Sequence, residues 1–466
     1  MEAQVKAHHL HRLTLLVCLI CVICGPNCFA QEVNRKQLAA EVKAEFLHAW
    51  NGYKKYAWGH DDLKPLSKTH HDWYAEPLLM TPVDALDTMI LMGLTDEAAA
   101  TQKYILENLS FDKDIEVQNF EITIRLLGGL LTNYQLTKDK RFLNLAEDLG
   151  NRLLPVFNSP TGMPYRYVNL KTGKTSKPIS NPAETGTLLI EFGTLSKLTG
   201  KPVFYDKAKR ALVETYNRRS KIGLVGEWIN VETGEWTNTD SHISGAIDSY
   251  YEYLLKCWLL FGDADCKRMW DESIVAINKY LAEEVTRTEP SGPVSLLWYG
   301  HADMNTGARR ASTFGALDAF FPAVLALSGD VKRARRLQLS AFAMWDEAVI
   351  EPEEFDYRAR KITSPGYPLR PEIVESTYYL HKLSGDSSTY LYMGVRFWRD
   401  FVEHCRTDVA YAALKNVQSK EKADSMQSFL FAETFKYFYL LFAPAETLDF
   451  RNVIFNTEAH PIRKFK

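Results

Sequence analysis

One short signature recurs along the chain and limits what it can fold into. It reads LTKDKRFLNLAEDLGNRL from Leu136, LTGKPVFYDKAKRAL from Leu198, FGDADCKRMWDESIVAI from Phe261, LSGDVKRARRLQLSAF from Leu327 and LSGDSSTYLYMGVRFWRDF from Leu383. Each copy closes one helix with a Gly or polar turn and opens an amphipathic one, a Gly just past a helix end being a C-cap signal. The copies stand roughly 60 residues apart, the range of repeat architectures. Each unit is therefore a helix pair, an apolar helix inside and a Lys- and Arg-bearing helix outside.

Taken outer then inner, the predicted pairs are Val33–Lys55 with Val83–Met92, Asp96–Glu107 with Phe120–Leu136, Arg141–Leu154 with Glu184–Leu198, and so on to Met426–Leu441. This gives about fourteen helices, an all-α class in which pairs stack into an open solenoid or a closed toroid. Gly-punctuated stretches between pairs, Met163–Thr175, Ile222–Thr237, Pro293–Met304 and Val409–Asn416, read as hairpins. No low-complexity linker interrupts them, so residues 31–466 are predicted to form one domain.

Residues 1–30 read as a signal peptide. The apolar run Leu13–Cys24 follows Lys6, His11 and Arg12 and precedes the small residues of Cys28-Phe29-Ala30; it is too short to span a bilayer. An uncleaved anchor or a lipidated Cys is the alternative. Export is expected, to a periplasm, the exterior or an endoplasmic reticulum lumen, with no stable membrane insertion after cleavage. Beyond this leader only Cys257, Cys266 and Cys405 remain, and Cys257 and Cys266 can either pair or stay free. A net charge of -3 without a long run of one sign argues against a nucleic-acid partner. A monomer is expected.

The acids of the inner helices separate the toroid from the solenoid. The stretch NFEITIRLLGGLL (Asn119–Leu131) is apolar or glycine almost throughout, yet holds Glu121 and Arg125 four residues apart on one face. Buried charges are costly unless paired or used. Other inner helices repeat the pattern: Asp84 and Asp87; Glu184 and Glu191; Asp248 and Glu252; Glu372 and Glu375; Glu433. Every inner helix except that around Phe314–Leu327 is read as carrying one. Most lie near helix N-termini and would gather at one rim. A structural reading competes. Thr81-Pro82-Val83-Asp84 and Asn181-Pro182-Ala183-Glu184 each fit an N-cap, a Pro at N1 and an acid at N3, and Glu121 with Arg125 can be a buried structural pair. Capping does not explain the repetition. A ring of acids suits glycoside hydrolysis, which needs a carboxylic acid and a carboxylate, or a hard cation such as Ca²⁺. No HExxH, P-loop, Cys-His cluster or GxSxG is present to support other chemistries.

Seven ordered motifs, YAWGHDDLKPLS (from Tyr56), VDALDTMILMGL (from Val83), FEITIRLLGGLL, SYYEYLLKCW, LRPEIVEST, FAETFKYFYLLF and IFNTEAHP (from Ile454), resemble the class I α-1,2-mannosidases of glycoside hydrolase family 47. The resemblance runs from about Tyr53 to Pro461. STYYL, AETFKY and LDAFFPAVLALSGD are closer to the degradation-enhancing mannosidase-like branch, the earlier motifs to the processing enzymes. It implies an (α/α)7 barrel of paired inner and outer helices with short β-hairpins. It also implies exo-acting, inverting removal of terminal α-1,2-linked mannose from mannose-containing oligosaccharides or N-glycans, with one Ca²⁺. By motif, Glu121 is the general acid, Glu372 the general base and Asp248 a third catalytic carboxylate. Thr457 binds the Ca²⁺ directly. Arg125, Glu184, Glu375, Glu433 and Glu458 surround the substrate, and Glu375, Glu433 and Glu458 hold the waters of the cation.

Two departures stand out. An Arg of the processing enzymes is matched here by Ala246, and their Asp-His pair ahead of Phe-x-Pro is absent from TFGALDAFFP, at Gly315. The alternative reading is a mannose-glycan-binding quality-control protein with little or no turnover. The presence of Glu121, Asp248, Glu372 and Thr457 together weighs against it.

Overall fold

The computed structural model describes residues 33–289 and 292–465; the leader lies outside them. The recurring signature has a simple physical content. The residue that closes an inner helix in these copies takes a left-handed turn, φ +72° at Gly200, +70° at Gly262 and +98° at Gly329, with Lys138 at +64° in the first copy. The Asp that follows caps the outer helix: Asp139 accepts from Arg141 N, Asp263 from Cys266 N at 3.0 Å, Asp330 from Arg333 N at 3.1 Å and Asp386 from Thr389 N at 3.3 Å.

Seven inner helical segments result among the described residues: Met80–Leu91, Asn119–Thr137, Pro182–Thr199, Asp248–Phe261, Leu317–Ser328, Glu372–Leu383 and Leu430–Phe442. Seven outer helices alternate with them: Arg35–Tyr56, Thr95–Asn108, Lys140–Leu153, Pro202–Asn217, Ala264–Tyr280, Val331–Ala348 and Ser387–Cys405. Each inner helix packs most closely on the outer helix after it, across the short turn. The predicted pairing, outer then following inner, is thus shifted by one helix, because the longer connections are strands that keep those helices apart. The first outer helix packs on the last inner one. Phe46 meets Phe431 with ring centroids 5.1 Å apart and Arg35 donates to Ala443 O at 2.7 Å. That contact closes the ring, so the toroid holds and the fold is an (α/α)7 barrel.

Two predicted hairpins are in place: Tyr167–Asn169 pairs with Thr175–Ser176, and Trp228–Asn230 with Trp236–Asn238. The third, Pro293–Met304, divides between two sheets. Gly292–Tyr299 pairs with Ala282–Glu289, whereas His301–Asp303 pairs with Arg309–Ala311 and Asp240–Ser241. Gly300 makes the break, where a Cβ would stand 2.6 Å from Ala311 O. In the fourth, Leu414–Asn416 pairs with Glu421–Lys422, beyond the predicted end. A last hairpin, Val453–Phe455 with Pro461–Arg463, plugs the barrel from within. Gly128 and Gly129 of GGLL admit it: a Cβ on Gly128 would lie 2.5 Å from Asn456 Nδ2, and one on Gly129 3.2 Å from His460. Cys257 and Cys266 form a disulfide, Cα atoms 6.0 Å apart, and Cys405 is free and buried. No helix of the described residues is long and apolar enough to cross a membrane.

Candidate active site

The N-terminal ends of the inner helices converge on one cavity of about 300 Å³. Glu121, Arg125, Glu184, Asp248, Glu372, Glu375, Glu433, Thr457 and Glu458 all line it, so every predicted site residue reaches the same space. The plug hairpin forms the floor. Its turn is built on Asn456, whose side chain accepts from Glu458 N and His460 N at 3.1 and 2.8 Å and donates to Ile124 O and Glu191 Oε1, both at 2.8 Å. Thr457 N is held by Tyr253 Oη at 3.2 Å.

The backbone around the cavity departs from regular geometry. Arg125 and Glu433 lie in π-helical turns, Thr123–Leu127 and Leu430–Thr434, a feature common at functional sites. Ala246, Leu369 and Ala459 adopt positive φ at 73°, 71° and 56°, within two residues of Asp248, Arg370 and Glu458 respectively. Such strain in non-glycine residues persists only where the surroundings enforce it. The departure at Gly315 also has a steric reason: a Cβ there would overlap the carbonyl of Glu353.

Arg125 ties three elements together. Its Nε donates to Glu121 Oε2 at 3.0 Å, its Nη1 bonds Glu458 and stands 3.8 Å from Asp84, and its plane lies 4.8 Å from the Trp73 ring centroid. Glu184 shows both readings at once. Asn181 caps its helix by accepting Glu184 N at 2.9 Å, while the Glu184 carboxylate takes Arg166 at 2.6 and 2.8 Å and Gln118 at 2.9 Å. The matching cap at Thr81 does not form. That helix starts at Met80, and Thr81 donates instead to Asp61 O at 2.6 Å.

Most remaining pocket acids lack cationic partners. Burial raises Asp248 to about 7, against the hydrogen bonds from Ser249, with Glu252 and Asp318 adding repulsion. Burial also raises Glu372 to about 7, although Arg370, 3.8 Å away, opposes it. The helix start after Pro371 favours the ionised form of Glu372, but removal from water outweighs the dipole. Glu375, Glu433 and Glu458 are pushed upward by burial and then by one another or by neighbouring acids.

Sequence reasoning missed two residues here. Asp318 opens the fifth inner helix, Leu317–Ser328, so that helix carries an acid too. It is buried, accepts Gly315 N at 2.9 Å and is raised to about 6 by desolvation. Arg370 lies inside the LRPEIVEST motif, where the resemblance assigns it no role. It bonds Glu353 at 2.9 and 2.8 Å and lines the cavity next to Glu372.

The comparisons agree with this geometry. The chain is 36% identical over 461 residues to Alpha-mannosidase I MNS5 of Arabidopsis thaliana, covering 93% of this chain and 78% of that protein. It is 36% identical over 462 residues to the ER degradation-enhancing alpha-mannosidase-like protein 2 of Mus musculus, covering 90% and 77%. Its fold superposes on the alpha-1,2-mannosidase from Trichoderma reesei with a TM-score of 0.83 at 28% identity, over 92% of this chain and 99% of that one. The family model of glycosyl hydrolase family 47 matches residues 45–464. With its barrel, its ring of acids and this match over nearly its whole described length, the chain is a glycoside hydrolase belonging to family 47.

Proposed function

We propose that this chain is an exo-acting, inverting α-mannosidase that removes terminal α-1,2-linked mannose from mannose-containing oligosaccharides such as N-glycans, with Ca²⁺ bound at Thr457. The observation that carries the reading is the meeting of Glu121, Asp248 and Glu372, from three different inner helices, over Thr457 in one cavity. The plug hairpin closes that cavity below, so a chain end enters more readily than a chain middle.

Glu372, as base, takes a proton from a water whose oxygen attacks the anomeric carbon. The bond from that carbon to the leaving oxygen breaks, and Glu121 gives its proton to that oxygen, so mannose leaves as the β anomer. Arg125 occupies Oε2 of Glu121, which leaves Oε1 to hold the proton. Asp248 supplies the third carboxyl. Arg125, Glu184, Glu375, Glu433 and Glu458 hold the sugar hydroxyls.

The residues around Thr457 fit a hard cation. They are all oxygen donors, the Thr457 hydroxyl and carbonyl with the carboxyls of Glu375, Glu433 and Glu458 to hold its waters, and those carboxyls repel one another. When bound, Ca²⁺ would supply charge that orients the sugar hydroxyls and the attacking water. An exported or lumenal location follows from the same reading and is supported by the endoplasmic reticulum named in the mouse relative.

The test is mannose release from α-1,2-mannobiose by the purified chain in Ca²⁺, with the anomer followed by NMR. β-Mannose is expected first. α-Mannose first, or a folded chain that binds mannosides without cleaving this linkage, would overturn the proposal.

A further inference from the structure

One buried acid of the inner helices has no part in the mechanism above. Glu191, in helix Leu189–Thr199, is 0% exposed and stands outside the cavity lining. Its Oε1 accepts two hydrogen bonds, from Tyr253 Oη at 2.6 Å and from Asn456 Nδ2 at 2.8 Å. Its Oε2 is buried and meets no donor among the described residues. Tyr253 belongs to helix Asp248–Phe261 and Asn456 to the plug turn, so a single oxygen joins two inner helices to the plug.

The two groups that Glu191 holds grip Thr457 from both sides. While donating to Glu191, Tyr253 Oη accepts Thr457 N at 3.2 Å, which fixes the peptide ahead of Thr457. Asn456 Oδ1 accepts Glu458 N at 3.1 Å, which fixes the peptide behind it. That second peptide carries the Thr457 carbonyl. A trans peptide sets its N–H and its C=O on opposite sides, so with the Glu458 N–H turned to the Asn456 amide, the carbonyl of Thr457 faces away from it. This carbonyl accepts no hydrogen bond among the described residues, and Thr457 lines the cavity. Anchoring of the plug is secured elsewhere: Lys436 donates to Ala459 O at 2.7 Å, and His460 bonds Asp87 at 2.7 Å. What Glu191 and Tyr253 add is the attitude of residue 457.

We propose that Glu191 and Tyr253 are positioning residues for the cation: through one shared oxygen they hold the Thr457 backbone so that its carbonyl is presented to Ca²⁺, and they set the affinity of the site without touching the ion. This rests on Ca²⁺ binding at Thr457. Partners that orient a metal ligand tune affinity because they remove the freedom the ligand would otherwise lose on binding.

Three variants separate this role from a merely structural one. Tyr253→Phe deletes the hydroxyl alone. Glu191→Leu deletes the acceptor of both bonds. Glu191→Gln keeps an oxygen for both, since Oε2 makes no bond to lose. Calorimetric titration of each purified chain with Ca²⁺ should show Tyr253→Phe and Glu191→Leu binding about 10–100-fold more weakly than wild type. Glu191→Gln should stay within about threefold of wild type, as a neutral oxygen still accepts both hydrogen bonds. The rise in melting temperature at a fixed Ca²⁺ concentration should shrink in step with affinity, and saturating Ca²⁺ should restore mannose release. A structural role alone would lower the melting temperature equally with and without Ca²⁺ and leave the affinity where it was. Wild-type affinity in Tyr253→Phe or in Glu191→Leu would overturn the proposal, as would a Glu191→Gln chain that binds as weakly as Glu191→Leu. Failure of the underlying reading looks different: the wild-type chain itself would then bind no Ca²⁺.

Discussion

Two layers of buried acids lie one above the other in this barrel, and they are treated in opposite ways. In the lower layer Asp87 is fully buried, yet it meets Lys436 at 2.8 Å and His460 at 2.7 Å. Burial pushes Asp87 upward, but those two cations prevail and hold it below the ordinary range, and against burial Asp87 and Asp84 raise His460 to about 9. In the pocket layer Asp248, Glu372, Glu375, Glu433 and Glu458 share too few cations, and every one is raised. Burial alone therefore does not mark function. A buried acid with its counter-ion fixes the plug to the barrel; a buried acid without one holds capacity for a proton, a cation or a sugar hydroxyl.

The sharpest way to break this comparison is to neutralise one acid in each layer. Glu372→Gln or Glu121→Gln should lower kcat by about 10²–10⁴-fold with an unchanged melting temperature, as loss of a general acid or base does. Near wild-type initial rates would remove these residues from the chemistry. Asp87→Asn should instead leave Lys436 without its carboxylate and His460 with Asp84 alone, and reduce stability by about 3–5 kcal/mol, read by denaturant unfolding. A loss below about 1 kcal/mol would show that the lower layer is not held by its charges.

The layers should also answer pH in opposite senses. The folded-state values of Asp248 and Glu372, about 7, lie above the ordinary values of 3.8 and 4.5. The calcium-free folded chain then binds more protons than the unfolded one over that window. Its stability should fall as pH rises from about 4 to about 7, on the order of 1 kcal/mol or more per group. Asp87 is lowered, so its contribution is present above its unfolded value and fades as pH drops below about 4. Unfolding midpoints between pH 3 and 8 check both; a calcium-free chain that gains stability steadily up to pH 8 would contradict the first. The smallest effect concerns the seam between plug and barrel. Gly129→Ala would set a Cβ 2.7 Å from Val83 Cγ1, and overpacking of this kind costs about 1–3 kcal/mol, measurable as a lowered unfolding midpoint.

Much of this was legible in the sequence for a physical reason. Gly C-caps and Asp N-caps are local, so the repeat announces each helix turn, and acids in apolar helices stand out wherever the helix is long enough to show its period. Other features left no local trace. Asp87 is more than three hundred residues from both Lys436 and His460 in sequence, and no spacing rule joins them. The π-helical turns under Arg125 and Glu433 arise from a slipped hydrogen bond with no compositional mark. Asp318 sits in a 3₁₀ turn, Leu317–Phe320, before its helix becomes regular.

The most direct test of the contrast between the layers is a calorimetric titration of the purified chain with Ca²⁺ at pH 7, repeated in buffers of different ionisation enthalpy to count protons. Single-site binding with net proton release is expected, weakened by Thr457→Val, because the pocket acids hold protons until a cation replaces them. No binding, or binding without proton release, would mean that the pocket acids are already ionised and that the two layers do not differ as described.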